Sequence, residues 1–218
     1  MIEGIDRLVS SILEGDEPRK YNVLFTPRRV EKRKIDRLDW AKRVLQQEYI
    51  DGDLDLSSIP ITDLGNLKLI TGNFNLRDTS ITNLGSLKSV GGWLDLLFAP
   101  ITSLGSLESV DGFLNLYGTP ITNLGSLKSV GGWLDLRDTP ITSLGSLKSV
   151  DGDLLLSYTP ITSLGSLKSV GGYLDLRNTP ITSLGSLKSV DKIIINKKSK
   201  LDVDSLLEYF KDRIVVWS

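Results

Sequence analysis

From residue 51 onward the chain repeats itself every twenty residues, and a period of that length admits few folds. The stretch GGWLDLRDTPITSLGSLKSV at 131–150 returns almost letter for letter at 171–190, and in looser form in five further steps. Leu54 and Leu56 stand two apart, the spacing of a strand, and so do their equivalents through Leu174 and Leu176. Ile61, Leu64, Leu67 and Ile70 then stand three apart, a spacing suited to 3₁₀-like turns. Each step therefore predicts one strand and one tight return arc. Pro60, Pro100, Pro120, Pro140, Pro160 and Pro180 follow the strand, where a missing N–H ends ladder pairing. Gly65 and its equivalents through Gly185 mark a point in the arc where a Cβ is unwelcome. One step cannot bury its apolar face alone, so the steps must stack into a solenoid with capped ends.

Three regions follow. Residues 1–50 predict a helical N-terminal cap or domain, residues 51–190 seven solenoid repeats, and residues 191–218 a degenerate last repeat with the C-terminal cap. Ile2, Ile5, Leu8, Val9, Ile12 and Leu13 form one helical stripe. Pro27 opens a second expected helix, in which Ile35, Leu38, Ala41, Leu45 and Tyr49 share a face. Asp204 is the expected N-cap of a short helix through Lys211, and IVVW then reads as a final strand. From residue 91 the openings of the steps alternate between GG and DG, which points to a unit of two coils.

The pattern LxLxxTxI, seen in LNLYGTPI and LDLRDTPI, resembles the leucine-rich-repeat segment LxLxxNxL, and ITSLGSLKSVGGWLDL is similar to repeats of receptor L domains. The likeness covers residues 51 to about 201. It implies an α/β repeat protein: a leucine-rich-repeat-like β-solenoid of parallel strands and 3₁₀ or extended return arcs, with a helical N-terminal and a short helical C-terminal cap. It also implies a protein-interaction scaffold without enzyme activity. Thr79, Thr119, Thr139, Thr159 and Thr179 stand where that family carries its ladder Asn, and the coil is short, so curvature should be modest.

Composition removes much chemistry. The chain has neither histidine nor cysteine, which excludes Ser-His-Asp and Cys-His nucleophile systems, disulfides and the usual zinc sites. No cofactor or metal is expected. Asp51, Asp53 and Asp55 lack the spaced glycine and closing glutamate of an EF-hand. No apolar run approaches the ~18 residues of a bilayer span, and MIEGIDRLVSSILEGD lacks the continuous apolar run of a signal peptide, so a cytoplasmic location away from membranes is expected.

Function then rests on what drifts between steps. If Leu134 and Leu136 point inward, alternation turns Trp133, Asp135 and Arg137 to solvent. Equivalent residues of neighbouring coils lie ~4.8 Å apart, so each forms a column. The first reads Asp53, Asn73, Trp93, Phe113, Trp133, Asp153, Tyr173. Its contiguous aromatics either contact a partner or stack over the neighbouring glycine pairs. Trp93, Phe113, Trp133 and Tyr173 are the expected centre of a protein-binding face, with Asp95, Asp135, Arg77, Arg137 and Arg177 as its polar rim. A changing partner suits such a repeat, as for a phage or bacterial factor aimed at a host protein.

The alternative is a polyanion site along Lys88, Lys128, Lys148, Lys168 and Lys188, helped by Arg28, Arg29, Lys32 and Arg33. Against it, residues 51–218 hold 15 basic and 18 acidic residues, 15 − 18 = −3. Nucleic acid is therefore not the favoured partner.

Overall fold

The computed structural model describes residues 37–197, 199–202, 210 and 213–217. Its body is a parallel β-solenoid of about eight turns with a repeat of about twenty residues. Helix α1 (Arg37–Val44) opens it and, with Leu45 just after it, buries Ala41 and Val44 on the first coil. The helix stops at Val44, short of the expected Tyr49, because the chain there turns into the sheet: Tyr49 and Ile50 form β1, paired with Leu69 and Ile70 of β3. Any part of this helix before Arg37, the stripe at residues 2–13 and the expected helix at 204–211, apart from helical Phe210, lie outside the described residues.

Each coil carries two short strands where one was expected. The first ladder is β1, β3, β5 (Ser89–Val90), β7 (Ser109–Val110), β9 (Ser129–Val130) and β11 (Ser149–Val150). The second is β2 (Leu54–Asp55), β4 (Phe74–Asn75), β6 (Leu94–Asp95), β8 (Leu114–Asn115), β10 (Leu134–Asp135) and β12 (Leu154–Leu155). Both run into β13 (Ser169–Asp175), which continues through β14 (Ser189–Asn196) to β15 (Ile214–Trp217). Between the two ladders the corner glycines bend the chain, and in the β13–β14 pair the bend survives as a register shift between Val170 and Tyr173.

The return arc is built from two turns and extended backbone. In the first turn Ala99 N–H donates to Leu96 C=O, and the residue before Ala99, Phe98, has φ +60. In the second, Leu107 N–H donates to Leu104 C=O around Gly105, φ +57, where glycine avoids the cost of a left-handed Cβ. The three-residue spacing does place Ile61, Leu64, Leu67 and Ile70 in the core, each under 5% exposed. The threonines that follow the second ladder close their own turns: Thr119 Oγ1 donates to Leu116 C=O at 2.8 Å, and Thr119 is buried.

A third line of contact groups the coils in pairs. Bridges join Asn83 to Ser103, Asn123 to Ser143 and Ser163 to Ser183, always between a coil and the GG coil that follows it. Ser106 N–H reaches Gly85 C=O and Ser146 reaches Gly125 C=O across the same boundaries. At the GG corner a Cβ on Gly131 would lie 2.1 Å from Asp111 C=O, and one on Gly171 2.0 Å from Asp151 C=O. The two-coil period of the sequence is thus a packing unit, with glycine where the second coil closes onto the first.

Candidate functional site

The drifting residues occupy one ladder face and the corner that follows it. In the face column, polar residues support the next coil: Asp53 Oδ1 accepts the N–H of Asn73 at 2.7 Å, Asn73 Oδ1 that of Trp93 at 3.0 Å, and Asp153 Oδ1 that of Tyr173 at 2.7 Å. Trp93, Phe113 and Trp133 carry no side-chain oxygen for that task. They stack instead, with ring centroids 5.3 and 4.3 Å apart and planes within 3°. All three are half-buried. Stacking consumes the ring faces inside the row, so the row offers ring edges to solvent, plus the outer faces of Trp93 and Trp133. Tyr173 is separate from this stack and 44% exposed, with the Lys192 ammonium 5.7 Å from its ring centre.

The rim expectation needs correcting for the aspartates. Asp95, Asp135 and Asp175 are 7, 4 and 3% exposed. At the corner after each strand the side chain that follows the leucine folds back onto the backbone ahead of it. There Asp135 Oδ1 accepts the Arg137 N–H at 3.0 Å, and Asp95, Asp175, Asn75 and Asn115 do the same for the residue two ahead. The guanidinium groups of Arg137 and Arg177 clasp the same carboxylates, Nη2 to Oδ2 at 2.6 and 2.7 Å. Arg77 reaches Asp95 at 3.5 Å. These hydrogen bonds raise the Arg137 and Arg177 pKa values above the ordinary guanidinium value. The Asp–Asn alternation also has a use, since Asn115 Nδ2 donates to Asp95 Oδ1 across coils at 3.0 Å. The arginines remain at the surface; the aspartates are their anchors.

The corner holds residues that the alternation rule overlooks. Ser58, Asp78, Phe98, Gly118, Asp138, Tyr158 and Asn178 form one column, and all adopt φ between +54 and +65. Asp, Asn and Gly suit that conformation, whereas bulky residues adopt it rarely. Phe98 and Tyr158 nevertheless sit there, 63 and 64% exposed. Between them Arg137 lies over the Tyr117 ring at 5.4 Å, and a hydrogen bond to Asp138 raises the Tyr117 phenol above its ordinary pKa. The signal was present in the sequence as two aromatics in a column of turn formers.

Immediately before the strands of the first ladder and its continuation in β13 and β14, Lys88, Lys128, Lys148, Lys168 and Lys188 are all exposed. Lys128 pairs with Glu108, and Lys68 with Glu48 at 2.7 Å. Arg28, Arg29, Lys32 and Arg33 lie outside the described residues. Among the described residues no three metal-ligating side chains gather, and no helix is long and apolar enough to cross a membrane. A crevice between α1 and the first coil is lined by Leu38, Lys42, Leu45, Ile61 and Asp63 among others. Comparison with family models, curated proteins and solved structures finds no match for the chain.

Proposed function

We propose that the protein is a non-enzymatic binding scaffold that recognises a protein partner through the aromatic ladder face and its adjoining corner. One observation carries this reading. Six aromatic residues, Trp93, Phe113, Trp133, Tyr173, Phe98 and Tyr158, occupy columns that the rest of the solenoid fills with polar acceptors or turn formers. At Phe98 and Tyr158 the choice costs stability, about 1–2 kcal/mol each for a left-handed backbone, without burying the ring. Aromatic and arginine side chains dominate interface energetics, and Arg77, Arg137 and Arg177 share one column between the ladder face and the corner, each anchored to an aspartate. The likeness to leucine-rich repeats, whose ladder faces serve as binding surfaces, is consistent with this placement.

The test separates binding from folding. Phe98→Asp and Tyr158→Asp put turn formers into the left-handed corner, so melting temperature should hold or rise. Capture of the partner from the native cell, identified by mass spectrometry and then titrated, should weaken by about 2 kcal/mol or more, roughly thirtyfold. Lys148→Ala should change it far less. Undiminished binding by the Phe98/Tyr158 double variant and by a Trp93/Trp133 double alanine variant would remove the interface from this face. A polyanion reading draws its support from Lys148, Lys168 and Lys188, successive exposed cations for which no salt bridge is found among the described residues. Nuclease-sensitive capture that falls steeply with salt would favour that reading instead.

A further inference from the structure

Charge is divided between the two sides of each coil. Residues 51–58 and their equivalents through 171–178, which form the corner between the ladders, the second ladder and the corner after it, hold 11 acidic and 3 basic residues, 3 − 11 = −8. The other twelve residues of each coil, 59–70 through 179–190, hold 2 acidic and 6 basic, 6 − 2 = +4. The near-neutral whole chain thus combines two sides of opposite sign, and the aromatic face lies on the acidic one. The three arginines of that side are committed, Arg77 to Asp95, Arg137 to Asp135 and Arg177 to Asp175. For the other eight carboxylates, 11 − 3 = 8, no salt bridge is found among the described residues.

These carboxylates stand among the rings. Asp78 adjoins Phe98 and Asp138 adjoins Tyr158 in the left-handed column, and Asp153 stands between Trp133 and Tyr173 in the face column, each one coil or ~4.8 Å away along the stack. Asp111 opens the coil of Phe113, and partial burial raises its carboxyl above the ordinary carboxylate value. Asp78, Asp111 and Asp138 are exposed and Asp153 is half-buried. Two of the chain's own cations already lie against rings on this side, Arg137 at 5.4 Å from the Tyr117 ring centre and Lys192 at 5.7 Å from that of Tyr173. Resting on the scaffold reading above, we propose that the partner of this face presents a lysine- and arginine-rich segment, with its cations beside Asp78, Asp111, Asp138 and Asp153 and its apolar contacts on Phe98 and Tyr158. A ring attracts a cation through its quadrupole and a neighbouring carboxylate through its charge, so the two act together here. An acidic partner would meet eight carboxylates that no arginine shields, and like charges across an interface suppress binding.

Fluorescence anisotropy of the full chain with two labelled dodecapeptides tests this, one built of lysine, arginine, serine and glycine, the other with glutamate for every cation. The basic peptide should bind roughly tenfold or more tightly at low salt and weaken as salt rises. A quadruple variant, Asp78→Asn, Asp111→Asn, Asp138→Asn and Asp153→Asn, keeps a side-chain acceptor at each position, and Asn73 and Asn178 already stand in two of these columns. Its melting should hold while affinity for the basic peptide falls roughly tenfold or more. Asp63→Asn with Glu108→Gln, on the opposite side, should change affinity little. The proposal is overturned if the acidic peptide binds as well, if neither peptide binds, if the quadruple variant keeps full affinity, or if the control pair loses as much. Should the quadruple variant not fold, the pair Asp78→Asn and Asp138→Asn decides. A captured partner whose affinity drops with the Phe98/Tyr158 variant but not with the quadruple one would sink the basic-partner proposal alone; undiminished binding by both aromatic double variants would remove the scaffold reading beneath it.

Discussion

Asp135 illustrates how much one side chain does at the ladder corner. Its Oδ1 caps the Arg137 N–H and its Oδ2 holds the Arg137 guanidinium, while 4% of the residue remains exposed. Asp135→Asn keeps the acceptor that Asn75 and Asn115 supply in their coils, so it should cost about 1 kcal/mol or less. Asp135→Ala removes both contacts and strands a half-buried N–H, at about 1–3 kcal/mol, part of which solvent recovers because the arginine side chain is 41% exposed. Chemical denaturation of the two variants checks the ordering. An alanine variant as stable as the asparagine one would mean that the guanidinium and the N–H are satisfied by water. Under the proposed function the same residue would bear on binding, because a freed Arg137 loses the orientation that Asp135 gives it.

At the scale of the element, the unit is two coils. Excision of residues 131–170 joins Val130 to Gly171 and sets a GG coil on the DG coil at 111–130, which preserves the bridging pattern. Excision of 131–150 alone sets Asp151 where Gly131 stood, its Cβ about 2.1 Å from Asp111 C=O unless the corner shifts. Overpacking of that kind costs about 1–3 kcal/mol, and the loss of the third line of hydrogen bonds adds to it. Thermal melting should therefore rank the shorter deletion as the less stable protein despite its extra coil. The reverse order would show that the corner relaxes freely and that the pairs carry no energetic meaning.

For the whole molecule, stability is the sum of coil interfaces plus two end treatments. Deleting residues 1–50 removes Ala41, Val44, Leu45 and Ile50 from the core cluster and bares the edge of β3. Exposed strand edges over an apolar end promote association. The fragment 51–218 should aggregate or form higher oligomers on light scattering, where the full chain gives a defined species. A monomeric fragment with unchanged melting would make the N-terminal segment a separate functional unit instead of a cap.

What the sequence by itself determined is whatever depends on local spacing. Leucines two apart had to face inward together, residues three apart had to line the arc, and the twenty-residue period required stacked parallel coils. IVVW was also legible as a last strand, because β-branched runs seldom do anything else at the end of a ladder. Tertiary structure decided the rest. Asp95, Asp135 and Asp175 were expected at the surface from alternation, yet each carboxylate accepts the N–H two residues ahead and is covered by an arginine of its own or the preceding coil. Trp93, Phe113 and Trp133 could equally have stood apart or stacked; the ladder spacing between coils brought their planes together. Phe98 and Tyr158 became candidates only when their backbone proved left-handed and their rings exposed. In each case the deciding neighbour sits one coil away or across a corner, at a distance set by the stack and not by the letters on either side.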